Sequence, residues 1–413
     1  MKKRVVVTGI GVTTPIGNNV KEFWNNLVNG VSGIDKISKF DVSLFSAHIA
    51  GEVKNFDESL YFDRKEAKRL DSFAKYALAS CIQAVEDSGI NFENVDPERA
   101  GVIAGSGIGG METYDQQFRA YLEGGPKRIS PFFIVMMISD IVAGHISIKY
   151  NMKAHNFATT SACATSNHAI GTAFKAIQND EADIMICGGS EAAITPMGLG
   201  GFCSMRALST RNDDPQKASR PFDAKRDGFI MGEGAGMLVI ESLEHAKKRN
   251  AGIHCEIGGV GFTADAYHLT APDPEGQGAV RSMKIAIESA GLKNEDVDYI
   301  NAHGTSTPYN DRTESVAMKK LFGEHAYKTA ISSTKSMTGH LLGAAGSIEM
   351  VAAIMAMKNS KVPPTINYEY PDPDCDLNYT PNKAVDKKIN VFLNNAFGFG
   401  GHNATILGKK YVE

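Results

Sequence analysis

The chain passes twice through one order of strands, glycine clusters and helices, and this repetition limits the fold more than any single motif does. In the first pass an apolar strand over 4–8 runs into Gly9-Ile10-Gly11. Helical patterning follows over 20–28 and again over 64–88, with Gly89 placed to close the second helix. A strand over 100–104 ends in Gly105-Ser106-Gly107-Ile108-Gly109-Gly110. Next comes Asn156-Phe157-Ala158-Thr159-Thr160-Ser161-Ala162-Cys163-Ala164-Thr165-Ser166, which starts β-favouring, turns to small residues and puts a cysteine where a helix should begin. Ile170, Ala173, Phe174 and Ile177 give that helix a core-facing stripe. A strand over 184–187, a long loop over 194–226, a strand over 237–240 and a helix over 243–249 complete the pass. Asn250-Ala251-Gly252 reads as a boundary.

The second pass begins with Cys255-Glu256-Ile257-Gly258-Gly259-Val260-Gly261, which matches the opening strand and its glycines. A helix over 279–290 with Gly291 matches the one closed by Gly89. A strand over 297–302 matches 100–104. Residues 331–339 and the small-residue helix over 341–357 match the Cys163 stretch and its helix. Asn395-Ala396-Phe397-Gly398-Phe399-Gly400-Gly401 and a strand over 404–407 match Gly232-Glu233-Gly234-Ala235-Gly236 and its strand. This period is far longer than a solenoid unit and predicts a duplicated α/β domain, with halves 1–252 and 253–413. Its site should lie where the two elbows meet across a pseudo-twofold axis.

Neither glycine cluster fits a nucleotide fingerprint. After Gly9 and Gly11 the third position holds Thr14, and Pro15 sits inside the segment that should open the helix. No Lys-Ser/Thr follows Gly110, so a tight turn beside a cleft replaces the P-loop reading. At 413 residues and 43% hydrophobic, the chain can bury a large core, and its net charge of −4 argues against a general nucleic-acid binder. Six scattered cysteines show no metal-ligand spacing and fit a reduced compartment. Val5-Val6-Val7 stops at Thr8-Gly9, too short for a signal core, and no apolar run is long enough to span a bilayer. The expectation is a soluble cytoplasmic protein.

Cys163 at a helix tip would face free N–H groups and the positive end of the helix dipole, and both favour thiolate. Taken alone, a cysteine in a small-residue turn is more ordinarily a buried structural residue. Two histidines in the second half change that balance. His303 lies just past a strand in Asn301-Ala302-His303-Gly304-Thr305-Ser306-Thr307-Pro308. His340 ends Lys335-Ser336-Met337-Thr338-Gly339-His340, at the start of the helix matching the Cys163 helix. A single His beside a Cys suggests general-base activation, as in hydrolases. Two neutral imidazoles beside a thiolate suggest hydrogen bonding to a thioester oxygen where enolate charge develops, which suits carbon–carbon bond formation. Of the other histidines, His268 and His402 lie near expected site loops by sequence position alone.

These residues resemble the β-ketoacyl-acyl-carrier-protein synthases of the thiolase superfamily, nearest the elongating type II form. The resemblance covers essentially the whole chain. It rests on Val6-Val7-Thr8-Gly9, Ser161-Ala162-Cys163-Ala164-Thr165, residues 301–308, residues 335–346 and Phe397-Gly398-Phe399-Gly400-Gly401. It implies a duplicated thiolase-like α/β fold, a five-layer α/β/α/β/α sandwich in a homodimer, with no required cofactor. It also implies that Cys163 accepts the acyl chain from an acyl carrier protein, that His303 and His340 support decarboxylation of malonyl carrier, and that Lys335 organises the pair. The N–H groups of Cys163 and Phe399 correspond to an oxyanion hole, and Phe399 to a gate on a glycine-flanked loop. Thr305 and Thr307 correspond to contacts with the phosphopantetheine arm. Ile108, Phe202 and Phe397 correspond to the substrate pocket. Asn301, Glu349, Asn394 and Asn395 align with a buried monovalent-cation site.

Arg64, Lys65, Lys68 and Arg69 fall at helical spacing on one face, and Lys127, Arg128 and Arg206 join them as a docking surface for an acidic carrier. Departures from the family pattern fall at Ser161, Tyr309-Asn310, Ala396, His402 and residues 134–140, so chain-length preference is left open. A polyketide-type ketosynthase shares the same residues, whereas a non-catalytic chain-length partner would typically lack the cysteine. A Cys-His hydrolase leaves the second histidine unexplained.

Overall fold

Both halves of the chain fold their strands into the same order. The computed structural model describes residues 2–413. The first half supplies Val5–Thr13, Ala100–Gly105, Asn156–Phe157, Ile184–Glu191 and Gly234–Ser242, and the second supplies Cys255–Ala264, Tyr299–Asn301, Ala330–Ser332, Val391–Gly398 and His402–Lys409. In space, each set runs third, second, fourth, fifth, first. The three outer strands of each half pair in parallel and the inner ones antiparallel. The two sheets join edge to edge through their first strands, with Val5 opposite Ile257, Val6 opposite Glu256 and Val7 opposite Cys255.

Helices fill the spaces on either side of these sheets. Ser72–Ser88 covers Val5–Thr13 and Gly234–Ser242 on one outer face, and Gln277–Ser289 covers Cys255–Ala264 and His402–Lys409 on the other. Between the sheets lie Thr165–Gln178 and Ala345–Asn359, each touching strands of both halves as well as one another. The result is the layered, duplicated thiolase-like α/β architecture. Ala345–Asn359 is buried on nearly every side, as expected of a helix that is apolar all round. The two central helices approach closely at Gly346, where a Cβ would lie 2.5 Å from Asn167 Oδ1. Asn167 and Asn394 bridge this crossing, with Asn394 Nδ2 donating to Asn167 Oδ1 at 3.0 Å and to Gly346 O at 2.8 Å.

Several elements differ from the sequence expectation for identifiable reasons. Gly9 and Gly11 do not form a turn; Val5–Thr13 continues through them as one strand, with a register shift between Val7 and Gly9. A Cβ on Gly11 would lie 2.8 Å from Ala84 N and 2.9 Å from Gln83 Cβ, so the glycines admit the covering helix. Gly259 and Gly261 do the same in the second half, where added Cβ atoms would lie 3.0 Å from Ala290 N and Ala286 N. The helix expected over 64–88 breaks into Arg64–Ala67 and Ser72–Ser88, because Asp71 starts the second by accepting from Phe73 N–H at 3.2 Å. The strand expected to end at 187 runs on to Glu191, and Gly189 admits the Gly343 carbonyl, 2.6 Å from where its Cβ would be. Within the supposed loop over 194–226, Thr195 caps a helix, Pro196–Ser204. Among the described residues no helix is long and apolar enough to cross a membrane.

Candidate active site

The two central helices are each preceded by the same tight turn. Ala162 (φ +49) opens the turn Ala162–Ala164, and Leu342 (φ +47) opens Leu342–Ala344. These turns pack against each other. A left-handed non-glycine residue is strained, and here the strain recurs at equivalent places. Cys163 therefore sits in the turn ahead of its helix and not at the first helical residue. Its structural counterpart is Gly343. His340 lies two residues before the second turn, which corrects the expectation that it begins the matching helix.

His340 Nε2 lies 3.0 Å from Cys163 Sγ. His340 Nδ1 accepts the backbone N–H of Leu342 at 3.2 Å, so the neutral ring carries its proton on Nε2, facing the sulfur. The Lys335 ammonium lies 3.5 Å from His303 Nδ1 and has no acceptor to offer, so His303 also carries its proton on Nε2. The imidazoles stand nearly perpendicular, 5.3 Å between centroids. Burial, reinforced by the Lys335 charge, holds both well below the ordinary histidine pKa. The thiol and one nitrogen of each ring lie within 4.8 Å of one another, a spacing that would also suit a metal. With both Nε2 atoms protonated, these rings present donors instead of ligand lone pairs.

The thiol differs from its sequence expectation. Burial pushes Cys163 up to about 12, opposed by the Lys335 charge and by the N–H groups of Phe399 and Cys163. Burial thus outweighs the N–H groups around the sulfur and favours the thiol over the thiolate at rest. Gly398 lets the Phe399 loop approach, since a Cβ there would lie 3.0 Å from Cys163 N.

A cavity of about 560 Å³ ends at these residues. Its walls bring together Cys163, His303, His340, Thr305, Thr307, Ile108, Phe202, Phe397, Phe399 and Arg206. The Thr305 and Thr307 hydroxyls hydrogen-bond each other at 2.9 Å. His268 stands beside the mouth, its Nδ1 accepting from Thr270 N–H at 3.1 Å and Ala271 N–H at 3.2 Å. His402 packs under the loop, with its Nε2 2.9 Å from where a Gly400 Cβ would be. Ile134 and Val135, in the stretch that departs from the family pattern, are exposed and absent from the cavity walls.

Lys335 lies behind the cavity, buried and ion-paired with Glu349. Three buried oxygens in this part of the core have no hydrogen-bond partner: Asn301 Oδ1, Glu349 Oε2 and Asn394 Oδ1. Asn301 and Asn394 are opposed in register, and Asn301 Nδ2 donates to the Glu349 carbonyl at 3.1 Å. Unpartnered buried oxygens of this kind fit a hard cation. Asn395 does not share that arrangement, because its Oδ1 already accepts from Thr405 at 3.0 Å.

The basic residues do not form one helical face. Arg64–Ala67 ends before Lys68, and the Arg69 guanidinium lies over Phe132, 4.6 Å from its centroid. Lys65, Lys68, Lys127 and Arg128 are exposed on the outer surface, and Arg206 alone of the group lines the cavity.

Sequence reasoning passed over two acids. Glu314 accepts the N–H groups of His303 and Gly304, both at 2.8 Å, and so sets the His303 turn. Its signal was an acid on the buried face of Pro308–Phe322. Glu191 lines the cavity beside Cys163, and its signal was one acid closing an otherwise apolar strand.

The tautomers have a direct readout. In ¹⁵N NMR spectra, His303 and His340 should hold the neutral Nε2–H form from pH 8 down through 6.5 (probe values spanning the ordinary histidine pKa of about 6.5). Because both folded-state values are lowered, acidification protonates the unfolded chain first, and the stability these rings contribute above about 6.5 is lost below it. A ring titrating near 6.5 in the folded protein would refute the donor assignment.

Known proteins carry the same organisation. The family model described as "Beta-ketoacyl synthase, N-terminal domain" matches residues 2–246, and "Beta-ketoacyl synthase, C-terminal domain" matches residues 254–369. The chain is 52% identical to 3-oxoacyl-[acyl-carrier-protein] synthase 2 of Coxiella burnetii over 98% of both chains. It is 52% identical to the proteins of that name from Synechocystis and Staphylococcus aureus, over 99% of both chains. Among solved structures, a β-ketoacyl synthase from Burkholderia phymatum superposes with a TM-score of 0.92 at 35% identity, covering 99% of this chain and 100% of that one. A type II polyketide ketosynthase, in complex with its acyl-carrier protein and bound to the hexaketide, gives 0.92 at 35% identity with full coverage of both chains. The paired elbows, the central helix that follows each one, and both sequence matches agree: the chain belongs to the β-ketoacyl synthase family.

Proposed function

We infer that this β-ketoacyl synthase is an elongating 3-oxoacyl-[acyl-carrier-protein] synthase, an acyltransferase of fatty-acid synthesis, and that Cys163, His303 and His340 carry its reaction. The observation that carries the residue roles is the His340 Nε2–H held 3.0 Å from the Cys163 sulfur, with a nitrogen of His303 within 4.8 Å of both, in one cavity. A Cys-His hydrolase requires an imidazole that accepts the thiol proton, and here the Leu342 N–H occupies the other nitrogen of His340. Retention of Cys163 separates the chain from a non-catalytic chain-length partner.

The reaction balances without a dedicated base. In the first half, Cys163 S–H exchanges with the acyl thioester of the carrier: the Cys163–acyl bond forms, the pantetheine thiol leaves, and the proton passes to it. In the second half, malonyl carrier loses carbon dioxide, and the enolate carbon attacks the acyl group on Cys163. The thiolate leaves and takes up a proton from solvent, releasing a 3-oxoacyl carrier extended by one acetyl unit. During decarboxylation, negative charge develops on the malonyl thioester oxygen, where the two Nε2–H groups converge. The Cys163 and Phe399 N–H groups serve the acyl oxygen in the same way. Thr305 and Thr307 offer hydroxyls to the pantetheine arm, and the apolar wall from Ile108 to Phe202 takes the chain.

Intact-protein mass spectrometry should show one acyl adduct with acyl carrier, lost in Cys163→Ala. His340→Ala should still acylate while condensation falls by about 10²–10³-fold, the usual cost of removing one donor at a developing oxyanion. Normal condensation by His340→Ala, or an adduct on another residue, would overturn these roles.

An acidic carrier protein fits the exposed Lys65, Lys68, Lys127 and Arg128, with Arg206 at the mouth and Arg69 held by Phe132. The free cysteines suit the reducing cytoplasm. A homodimer would cover the exposed edge strand Asn156–Phe157 and the apolar groups Tyr114, Phe118, Leu122 and Ile134. Light scattering should report twice the 44.4 kDa chain mass, and a monomer at micromolar concentration would contradict this.

Asn301, Glu349 and Asn394 would hold a monovalent cation, with Asn395 contributing through its contact to Glu314 and not as a ligand. When bound, the ion supplies positive charge that keeps Glu349 ionised for Lys335. The melting temperature should rise saturably with potassium chloride but not choline chloride, and the difference should vanish in Asn394→Leu. Equal melting in both salts would remove the cation from the account.

A further inference from the structure

Glu191 is a fully buried carboxylate that the reaction scheme does not use. Its Oε1 accepts from the Ser106 hydroxyl at 2.7 Å and from Ile108 N–H at 3.2 Å. Its Oε2 accepts from Gly107 N–H at 2.9 Å and Gly343 N–H at 3.0 Å. Two segments far apart in sequence thus share one anion. The first is the loop after Ala100–Gly105, whose Ile108 lines the cavity beside Cys163 and belongs to the same apolar cluster. The second is the turn Leu342–Ala344, whose first N–H, from Leu342, fixes the His340 tautomer.

The glycines around the carboxylate are shaped by it. A Cβ on Gly107 would lie 2.7 Å from Glu191 Oε2, and one on Gly343 would lie 2.9 Å from the same atom. Gly343 also stands where the first half places its nucleophile, so the second elbow has exchanged a side chain for contact with this acid. A convergent set of four donors is the arrangement that holds a buried carboxylate without a cation.

We propose that Glu191 is a positioning residue that clamps the Ile108 loop to the Leu342–Gly343 turn, so that one carboxylate sets both acyl-chain selection and the aim of the His340 donor. The proposal rests on the condensing function inferred above. Burial pushes the Glu191 pKa up to about 7 against the pull of its four hydrogen-bond donors. In Glu191→Gln, an amide N–H₂ replaces one oxygen and faces backbone donors, which loosens one segment or the other.

The test compares wild type, Glu191→Gln and Glu191→Asp as full-length proteins. Acylation kcat/KM is measured with butyryl- and myristoyl-loaded carrier, and decarboxylation kcat and KM with malonyl carrier. Glu191→Gln should change the butyryl-to-myristoyl ratio by about tenfold or more, the scale on which apolar pockets discriminate chain size. Decarboxylation kcat should fall with KM for malonyl carrier unchanged, and Glu191→Asp should restore part of both. If Glu191→Gln does not fold, Ser106→Ala removes the shortest bond to the carboxylate and should shift the ratio in the same direction by less. An unchanged ratio, or a uniform loss across chain lengths and decarboxylation, overturns the clamp. Wild type that forms no acyl adduct in the same assay overturns the condensing reading, and the clamp with it.

Discussion

The chemistry of this site depends on where two consecutive backbone N–H groups point. Leu342 N–H is accepted by His340 Nδ1, and Gly343 N–H by Glu191. The first bond decides which nitrogen of His340 keeps its proton, and therefore whether the ring withdraws a proton from Cys163 or donates one toward the sulfur. A three-residue turn with a strained φ at Leu342 thus separates hydrolytic chemistry from enolate stabilisation. The turn holds that shape because its amides have fixed acceptors, which compensate the strain.

Duplication explains why the two elbows do different work. Ala162 and Leu342 have nearly the same φ, and both turns lead into a buried central helix. In the first half the second turn residue is Cys163, open to the cavity. In the second half it is Gly343, where a Cβ would meet Glu191 and the Gly107 N–H. A nucleophile could not be accommodated there. The second elbow instead contributes orientation, through His340 two residues upstream. One shape, repeated, became one nucleophile and one set of donors.

The order of elements was readable because each half repeats its glycines and apolar strands, and the motif around Cys163, His303 and His340 carried the family resemblance. What those glycines do was not readable. Gly9, Gly11, Gly259 and Gly261 look like turns in a linear chain, yet they admit a helix against a continuous strand. Close approach of distant segments leaves no local sequence mark. The same limit hid Glu191, whose donors lie 83 to 152 residues away. The Cys163 environment was misjudged for a related reason: helix-tip position is local, whereas desolvation is set by the whole cavity wall. Lys68 and Arg69 fell on one helical face only until the Asp71 cap divided that helix.

Charge behind the cavity completes the design. An ammonium beside His303 Nδ1 directs the ring proton to Nε2 and disfavours a second proton on either imidazole. That ammonium is buried, and an unpaired buried charge is costly, with removal of one partner from such a pair costing about 3–5 kcal/mol. Glu349 supplies the counter-charge through one oxygen, leaving its other oxygen with those of Asn301 and Asn394 unpartnered. Neutral imidazole donors at the front therefore require a lysine, the lysine requires an acid, and the acid requires positive charge or hydrogen bonds on its far side. Each step moves the unsatisfied group deeper into the core, away from the substrate, where rigid helix and strand backbone can hold it.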